Sequence, residues 1–253
     1  MRSIIFCKRI IKELLRDPLS YIFCLGFPLI MLIIMTVIDQ SIPKEAGMTI
    51  FHIQSLAPGI ALFGLTFVML FTCIQVSKDR TSTFLTRLYA SPMKAVDFIG
   101  GYTLPTLIIS ILQIIISFVT AIIIGRITGF TFQMGNVLLC IFILLPSALL
   151  FIAFGLFFGT LLNDKSSPAI CSIIISAASM LGGVWMDIDA IGGTFKTICH
   201  ALPFYQGVSA ARMAMQGNYA DIGRPLVIIF VYSIIIYMIS ALLFQRKMQS
   251  DIK

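Results

Sequence analysis

Charge is what this chain has least of. Only 11% of its 253 residues are charged, against 58% hydrophobic, and the mean hydropathy is +1.01. A soluble domain of this size carries about 25% charged residues, so the composition excludes one and marks an integral membrane protein. Histidine is nearly absent. His52 and His200 both fall outside the apolar runs, and neither has a carboxylate or cysteine at ligand spacing, so no metal site is expected. The six cysteines show no paired spacing; most lie in apolar runs and read as small packing residues, not a disulfide frame. A phosphate-loop pattern G-x-x-x-x-G-K-[ST] is missing, so the chain cannot hydrolyse ATP by that route, and no other cofactor is implied. The predicted spans hold no Asp, Glu, Lys, Arg or His. That deprives a proton-coupled carrier of its intramembrane titrating group, and an intramembrane hydrolase of its acid and base. No low-complexity tract or soluble-sized segment interrupts the sequence, so residues 1–253 form a single membrane domain.

What is present is a series of six apolar runs: Tyr21–Ile38, Leu56–Val76, Leu104–Ile124, Val137–Leu162, Ala169–Trp185 and Leu226–Leu243. Each is near the roughly 20 residues that cross a bilayer. The predicted fold is an all-α integral membrane protein with six transmembrane helices, an N-terminal amphipathic interface helix and short re-entrant outer helices. Met1–Asp17 is the amphipathic element. Its apolar side is Phe6, Cys7, Ile10, Ile11, Leu14 and Leu15, with five basic residues around it, suited to the inner membrane surface. Tyr21–Ile38 lacks a small-x-small cleavage site and reads as a span, not a signal peptide. Gly26 and Pro28 are expected to bend it. Gly155 and Gly159 form a small-xxx-small pair that favours close packing within the subunit. Residues 186–225 carry two apolar stretches too short to span, Ala190–Leu202 and Phe204–Gln216. These predict helices that dip back into the outer leaflet and cap the bundle.

Six spans put both termini on one side. With the N-terminus inside, thirteen of the eighteen basic residues and six of the eleven acidic ones are cytoplasmic. The whole net charge of +7 then sits on the inner face, as the positive-inside rule requires. Its expected partner is anionic membrane lipid, not nucleic acid.

The longest polar interruption of the first half is Ser77–Gly101, SKDRTSTFLTRLYASPMKAVDFIGG. Across Arg80–Ala90 the spacing is helical, with Phe84, Leu85, Leu88 and Tyr89 on one face and Arg80, Thr83 and Arg87 on the other. Ser91-Pro92 stops that helix. Its apolar face has two uses: to lie in lipid headgroups, or to dock into a soluble partner that drives the membrane bundle.

At this point the residues resemble a known family. Asp79-Arg80, Arg87-Leu88 and Ser91-Pro92, with Gly101-Tyr102 opening the next span, are similar to the cytoplasmic signature of ABC type-2 exporter permeases of the drug and antibiotic type. Arg16-Asp17-Pro18, Leu56-Ala57-Pro58-Gly59, Gly182-Gly183-Val184-Trp185, Leu202-Pro203-Phe204-Tyr205 and Ala211-Arg212 match further family features in order, over essentially the whole chain. The resemblance implies that residues 1–17 are a connecting helix and residues 77–97 a coupling segment. Asp79, Arg80, Phe84, Leu85, Arg87 and Leu88 would then meet a separate ATP-binding-cassette ATPase subunit. Leu202, Pro203, Phe204 and Tyr205 would belong to the outer re-entrant cap. Where the family commonly has Gly-Thr, this chain has Thr83-Phe84; loss of the glycine favours a more continuous helix, and Phe84 adds an apolar contact. The short outer loops leave no room for the large external domain of the tripartite pumps.

The resemblance further implies a half-transporter of the bacterial cytoplasmic membrane, paired with a second permease copy or paralogue. It would not itself be an enzyme, and would export an amphiphile such as a drug, antibiotic or peptide, with a lipid-linked polysaccharide as the second choice. The alternative from another class is a non-transporting membrane assembly or sensor subunit.

Overall fold

The computed structural model describes residues 2–18, 22–42, 49–82 and 95–250, and among them every regular element is helical. In chain order they are α1 (Arg2–Leu15), a π turn (Ile22–Gly26) running into α2 (Phe27–Ser41), α3 (Ile53–Thr81), α4 (Ala95–Thr128), α5 (Met134–Leu161), α6 (Ser167–Leu181), α7 (Ile188–Ile191), α8 (Gly193–Ala201), α9 (Pro203–Gln216) and α10 (Gly223–Ser250). The all-helical membrane fold read from the sequence is the fold observed.

Among the described residues five helices are long and apolar enough to cross a membrane: the π turn with α2, and α3, α4, α5 and α10. The fifth expected crossing is shorter than predicted. α6 has 15 residues, about 22 Å of helix, because Gly182-Gly183 turn the chain away; Gly183 sits at φ 70°, a backbone region open to glycine. At Gly26-Phe27-Pro28, where a bend is expected in the first span, the wide π turn gives way to α2. Proline has no N–H to give back to the preceding turn, so the regular ladder cannot run through this point.

α3 is the axis of the bundle. In its apolar window 78% of residues are buried, against 17% for α10 and 22% for the first span. It packs against α2, α4, α5, α6 and α9. The contact with α5 is the closest. A Cβ on Gly155 would lie 2.6 Å from Thr72 Cβ and 2.7 Å from the Met69 carbonyl. One on Gly159 would lie 2.7 Å from Val76 Cβ and 2.8 Å from the Cys73 carbonyl. The glycine pair thus serves packing inside the subunit, where small residues let helix backbones approach.

Hydroxyls inside the spans turn back on their own helices. Thr72, Thr106, Ser110 and Thr160 each donate to a carbonyl four residues earlier, so these four hydroxyls are not carried bare into hydrocarbon. The outward faces of α2, α4 and α10 expose Ile30, Ile33, Leu112, Val119, Phe230 and Ile234, the apolar surface that lipid solvates.

α1 packs its apolar side onto the bundle. Phe6, Ile10 and Leu14 are buried, and Phe6 sits edge-on to Phe98 and Tyr102 of α4 at ring centroid distances of 5.5 and 5.0 Å. A Cβ on Gly101 would collide with the Phe6 ring at 2.3 Å. The apolar stripe that suits a lipid surface is turned onto the bundle, because Gly101 leaves a hollow of the right size for one ring.

Candidate functional site

α3 is 29 residues long, roughly 43 Å at 1.5 Å per residue. It outruns the ~30 Å hydrocarbon core, and its last turn carries Lys78, Asp79 and Arg80, with Asp79 still buried against α1 and α4. Residues 83–94 begin there, and Phe84, Leu85, Arg87 and Leu88 lie outside the described residues.

The two described members of the predicted coupling set are both engaged inside the protein. The Asp79 side chain is 6% exposed. Its Oδ1 accepts from Arg9 Nη2 at 2.9 Å, and its Oδ2 accepts from the Tyr102 hydroxyl at 2.8 Å and from Arg9 Nη1 at 3.4 Å. Arg9 also gives Nε to Glu13 Oε1 at 2.9 Å, and Glu13 Oε2 accepts from Gln75 Nε2 at 2.7 Å. One carboxylate on α3 therefore ties together α1, α3 and α4. Asp79 is the internal anchor of the helix end that leads into the predicted coupling segment. Arg80 faces the other way. Its Nη2 donates to the Leu162 carbonyl at 3.2 Å and to Asn163 Oδ1 at 3.4 Å, fixing the end of α3 to the α5–α6 turn.

The second candidate region lies at the opposite, distal end. α9 runs through the distal half of the bundle. Near its start, Phe204 packs on Phe151 and Phe154 well down α5, both at 5.9 Å between centroids. Gly207 meets Leu62 and Ser147, where an added Cβ would lie 2.5 and 2.8 Å away. Near its end, the Met215 carbonyl accepts from Gln54 and Asn136 at 3.3 and 3.1 Å. Pro203 and Tyr205 are buried, and Leu202 and Phe204 half-buried. The four residues predicted for the cap are thus gathered at the deep end of α9.

Tyr205 anchors the preceding segment. Its hydroxyl donates to Asp189 Oδ2 at 2.5 Å, while Asp189 Oδ1 lies 2.9 Å from Lys196 Nζ and 3.1 Å from His200 Nε2. Desolvation would raise the Asp189 carboxyl, but the bonds from Tyr205, Lys196 and His200 outweigh it and hold the pKa down at about 2. His200 stacks on the Tyr205 ring at 4.2 Å, and the Gln206 side-chain amide donates to its carbonyl.

Three groups carry parts of these sites that sequence patterns did not assign. Arg9 sits at the edge of the α1 apolar face, and only its contact across 70 positions with Asp79 gives it a role. Gln113 is buried in α4, bridging the Ala61 carbonyl at 3.2 Å and Ser117 Oγ at 3.1 Å. Arg212 on α9 gives Nε to the Ser55 carbonyl at 3.0 Å. It borders a distal cavity of about 230 Å³ shared with Asp187, Asp189, Ser209 and Gln216. Among the described residues no group of three or more His, Cys, Asp or Glu side chains could hold a metal ion.

The sequence profile of the family described as ABC-2 type transporter matches residues 3–216. The match runs from the amphipathic α1 to the end of α9 and so includes both regions. No curated protein matches the chain.

Proposed function

The chain belongs to the ABC-2 type transporter family as a multi-pass membrane permease subunit, and from that premise we propose that it is the membrane half of an ATP-driven exporter of amphiphiles. The substrate would be a drug, antibiotic or peptide, with a lipid-linked polysaccharide second. ATP would be hydrolysed on a separate cassette subunit that grips the segment after α3, and a second permease copy or paralogue would complete the path. Both termini would face the bacterial cytoplasm, with the basic residues of that end against anionic lipid.

The observation that carries this reading is the Asp79 anchor. A helix end that is clamped to α1, α4 and the α5–α6 turn is a stiff lever. Force applied to residues 83–94 would reach the centre of the bundle through α3 without being lost in a loose joint. For ATP to drive the cycle, the ATPase must bind one bundle arrangement more tightly than the other.

Reconstitution tests the proposal. Vesicles holding the permease and its ATPase should accumulate an amphiphilic dye or drug on addition of ATP, and vesicles with either subunit alone should not. A permease that neither binds a cassette ATPase nor changes its hydrolysis rate would instead be an assembly or sensor subunit.

A further inference from the structure

The distal cavity beside α9 holds two charges of opposite sign that do not meet. Arg212 uses Nε on the Ser55 carbonyl, while its Nη2 is buried beside Gly59 with no hydrogen-bond partner among the described residues. A buried guanidinium N–H without an acceptor is a costly arrangement unless something else supplies one. Asp187 also lines the cavity. Among the described residues both hydrogen bonds that this exposed side chain accepts, from the Asp189 and Ala190 amides at the start of α7, fall on Oδ1, leaving Oδ2 open to solvent and ligand. The two side chains feel each other's charge, yet they form none of the ion pairs found among the described residues. The third charge, Asp189, is already engaged by Tyr205, Lys196 and His200. A space bounded by one unspent cation and one unspent carboxylate is complementary to a molecule that carries both signs.

We propose that this cavity binds a zwitterionic head group, with its phosphate or carboxylate on Arg212 and its ammonium toward Asp187. A volume of about 230 Å³ is below the roughly 300–1,000 Å³ of pockets that enclose a drug-sized ligand. The site therefore takes a head group and leaves any acyl chain outside. Neutral Ser209 and Gln216 on the same wall add hydrogen-bonding capacity without disturbing the charge balance. The assignment rests on the permease reading for its use, since a head-group site on the distal face is where an exported amphiphile would be handed over or a lipid would brace α9.

The test is direct binding to the full-length permease in maltoside micelles, without ATPase, using O-phosphoethanolamine and dihexanoyl phosphatidylethanolamine as probes. Saturable binding of both probes identifies the head group as sufficient, and binding of the lipid alone identifies a lipid source; either supports the site. Inorganic phosphate and ethanolamine should each bind about tenfold or more weakly. Asp187→Asn keeps the helix cap, since Asn caps as well as Asp, but removes the charge, and should weaken the zwitterions about tenfold. Arg212→Gln should do the same. Because that residue also holds Ser55, Ser209→Phe provides a second variant, filling the cavity with Arg212 intact and abolishing binding. No saturable binding of either zwitterion overturns the proposal, as does affinity unchanged in Asp187→Asn and Ser209→Phe, or inorganic phosphate binding as tightly as the zwitterion. Failure of the permease to co-purify its ATPase, scored in separate preparations that contain both subunits, would count against the permease reading alone.

Discussion

The Asp79 carboxylate accepts the Tyr102 hydroxyl on one oxygen and, across both, the Arg9 guanidinium, so a single side chain joins α1, α3 and α4. Removing one partner of a buried ion pair typically costs about 3–5 kcal/mol. Arg9 is 28% exposed and keeps Glu13, which places Asp79→Ala at the lower end, about 3 kcal/mol. Tyr102→Phe removes one hydrogen bond to a charge, about 1.5–3 kcal/mol. Because both act on one carboxylate, the double variant should fall short of the sum. Unfolding in mixed detergent micelles gives all three values. Additive losses would show that the three groups are not one network.

The glycine pair of α5 provides a sharper stability test. Gly155→Ala and Gly159→Ala must each push α3 and α5 apart, since a backbone carbonyl stands within 2.8 Å of the new methyl. Overpacking of this kind costs about 1–3 kcal/mol. Gly100→Ala in α4 has nothing within 4 Å of the added carbon. It should stabilise by about 0.5–1 kcal/mol through helix propensity alone. Destabilisation at Gly155 and Gly159 with stabilisation at Gly100 is the expected result.

Much of this frame is legible in the sequence because hydrocarbon allows so few solutions. A run such as Val137–Leu162 has to be a helix, and α5 is observed over Met134–Leu161. The Gly155–Gly159 contact follows from side-chain size. What periodicity does not carry is the partner of a face. Periodicity suits the α1 stripe to a membrane surface, and only the hollow at Gly101, 95 positions from Phe6, shows that its ring is seated on the bundle. Asp79 looks like a solvated loop charge because its partners Arg9 and Tyr102 are 70 and 23 positions away. α6 reads as a full span because apolar content continues through Val184 and Trp185, yet Gly183 takes a positive φ and ends the helix early.

The deep end of α9 should be intolerant of charge in a graded way. Phe204 packs on Phe151 and Phe154, so Phe204→Arg places a cation among buried rings at a cost of about 2–3 kcal/mol. Leu202, half-buried at the helix cap, should be milder when changed to Arg. Export by cells carrying each variant should fall in that order while the protein stays in the membrane. Equal, normal export by both would contradict the re-entrant placement of α9.

Asp189 sets the acid limit of the cap. Its carboxyl is held below its ordinary 3.8, at about 2. A depressed folded-state pKa means that the stabilisation is complete above the ordinary value and is lost as pH falls through the folded one. The Asp189 contribution should thus be constant from pH 8 to 5 and fade between about pH 4 and 2. With 52% of its side chain exposed, solvent screening keeps the effect small. Trp185, the one tryptophan of the chain, lies against Phe63 at 5.1 Å, beside the turn that leads into the cap. Its emission should report the loss in wild type, and Asp189→Asn should show the altered signal already at pH 5.

The central claim is that the segment beyond the Asp79 anchor docks into a cassette ATPase, and co-purification of that ATPase with a Leu88→Arg permease tests it most directly. If Phe84, Leu85 and Leu88 are anchors in a groove, the new guanidinium is buried there unpaired, at a cost of several kcal/mol. The variant should then insert, fold and melt like wild type, yet lose the ATPase, while Leu88→Met retains it. Recovery of the ATPase with Leu88→Arg at wild-type yield would place that face on lipid and contradict the account.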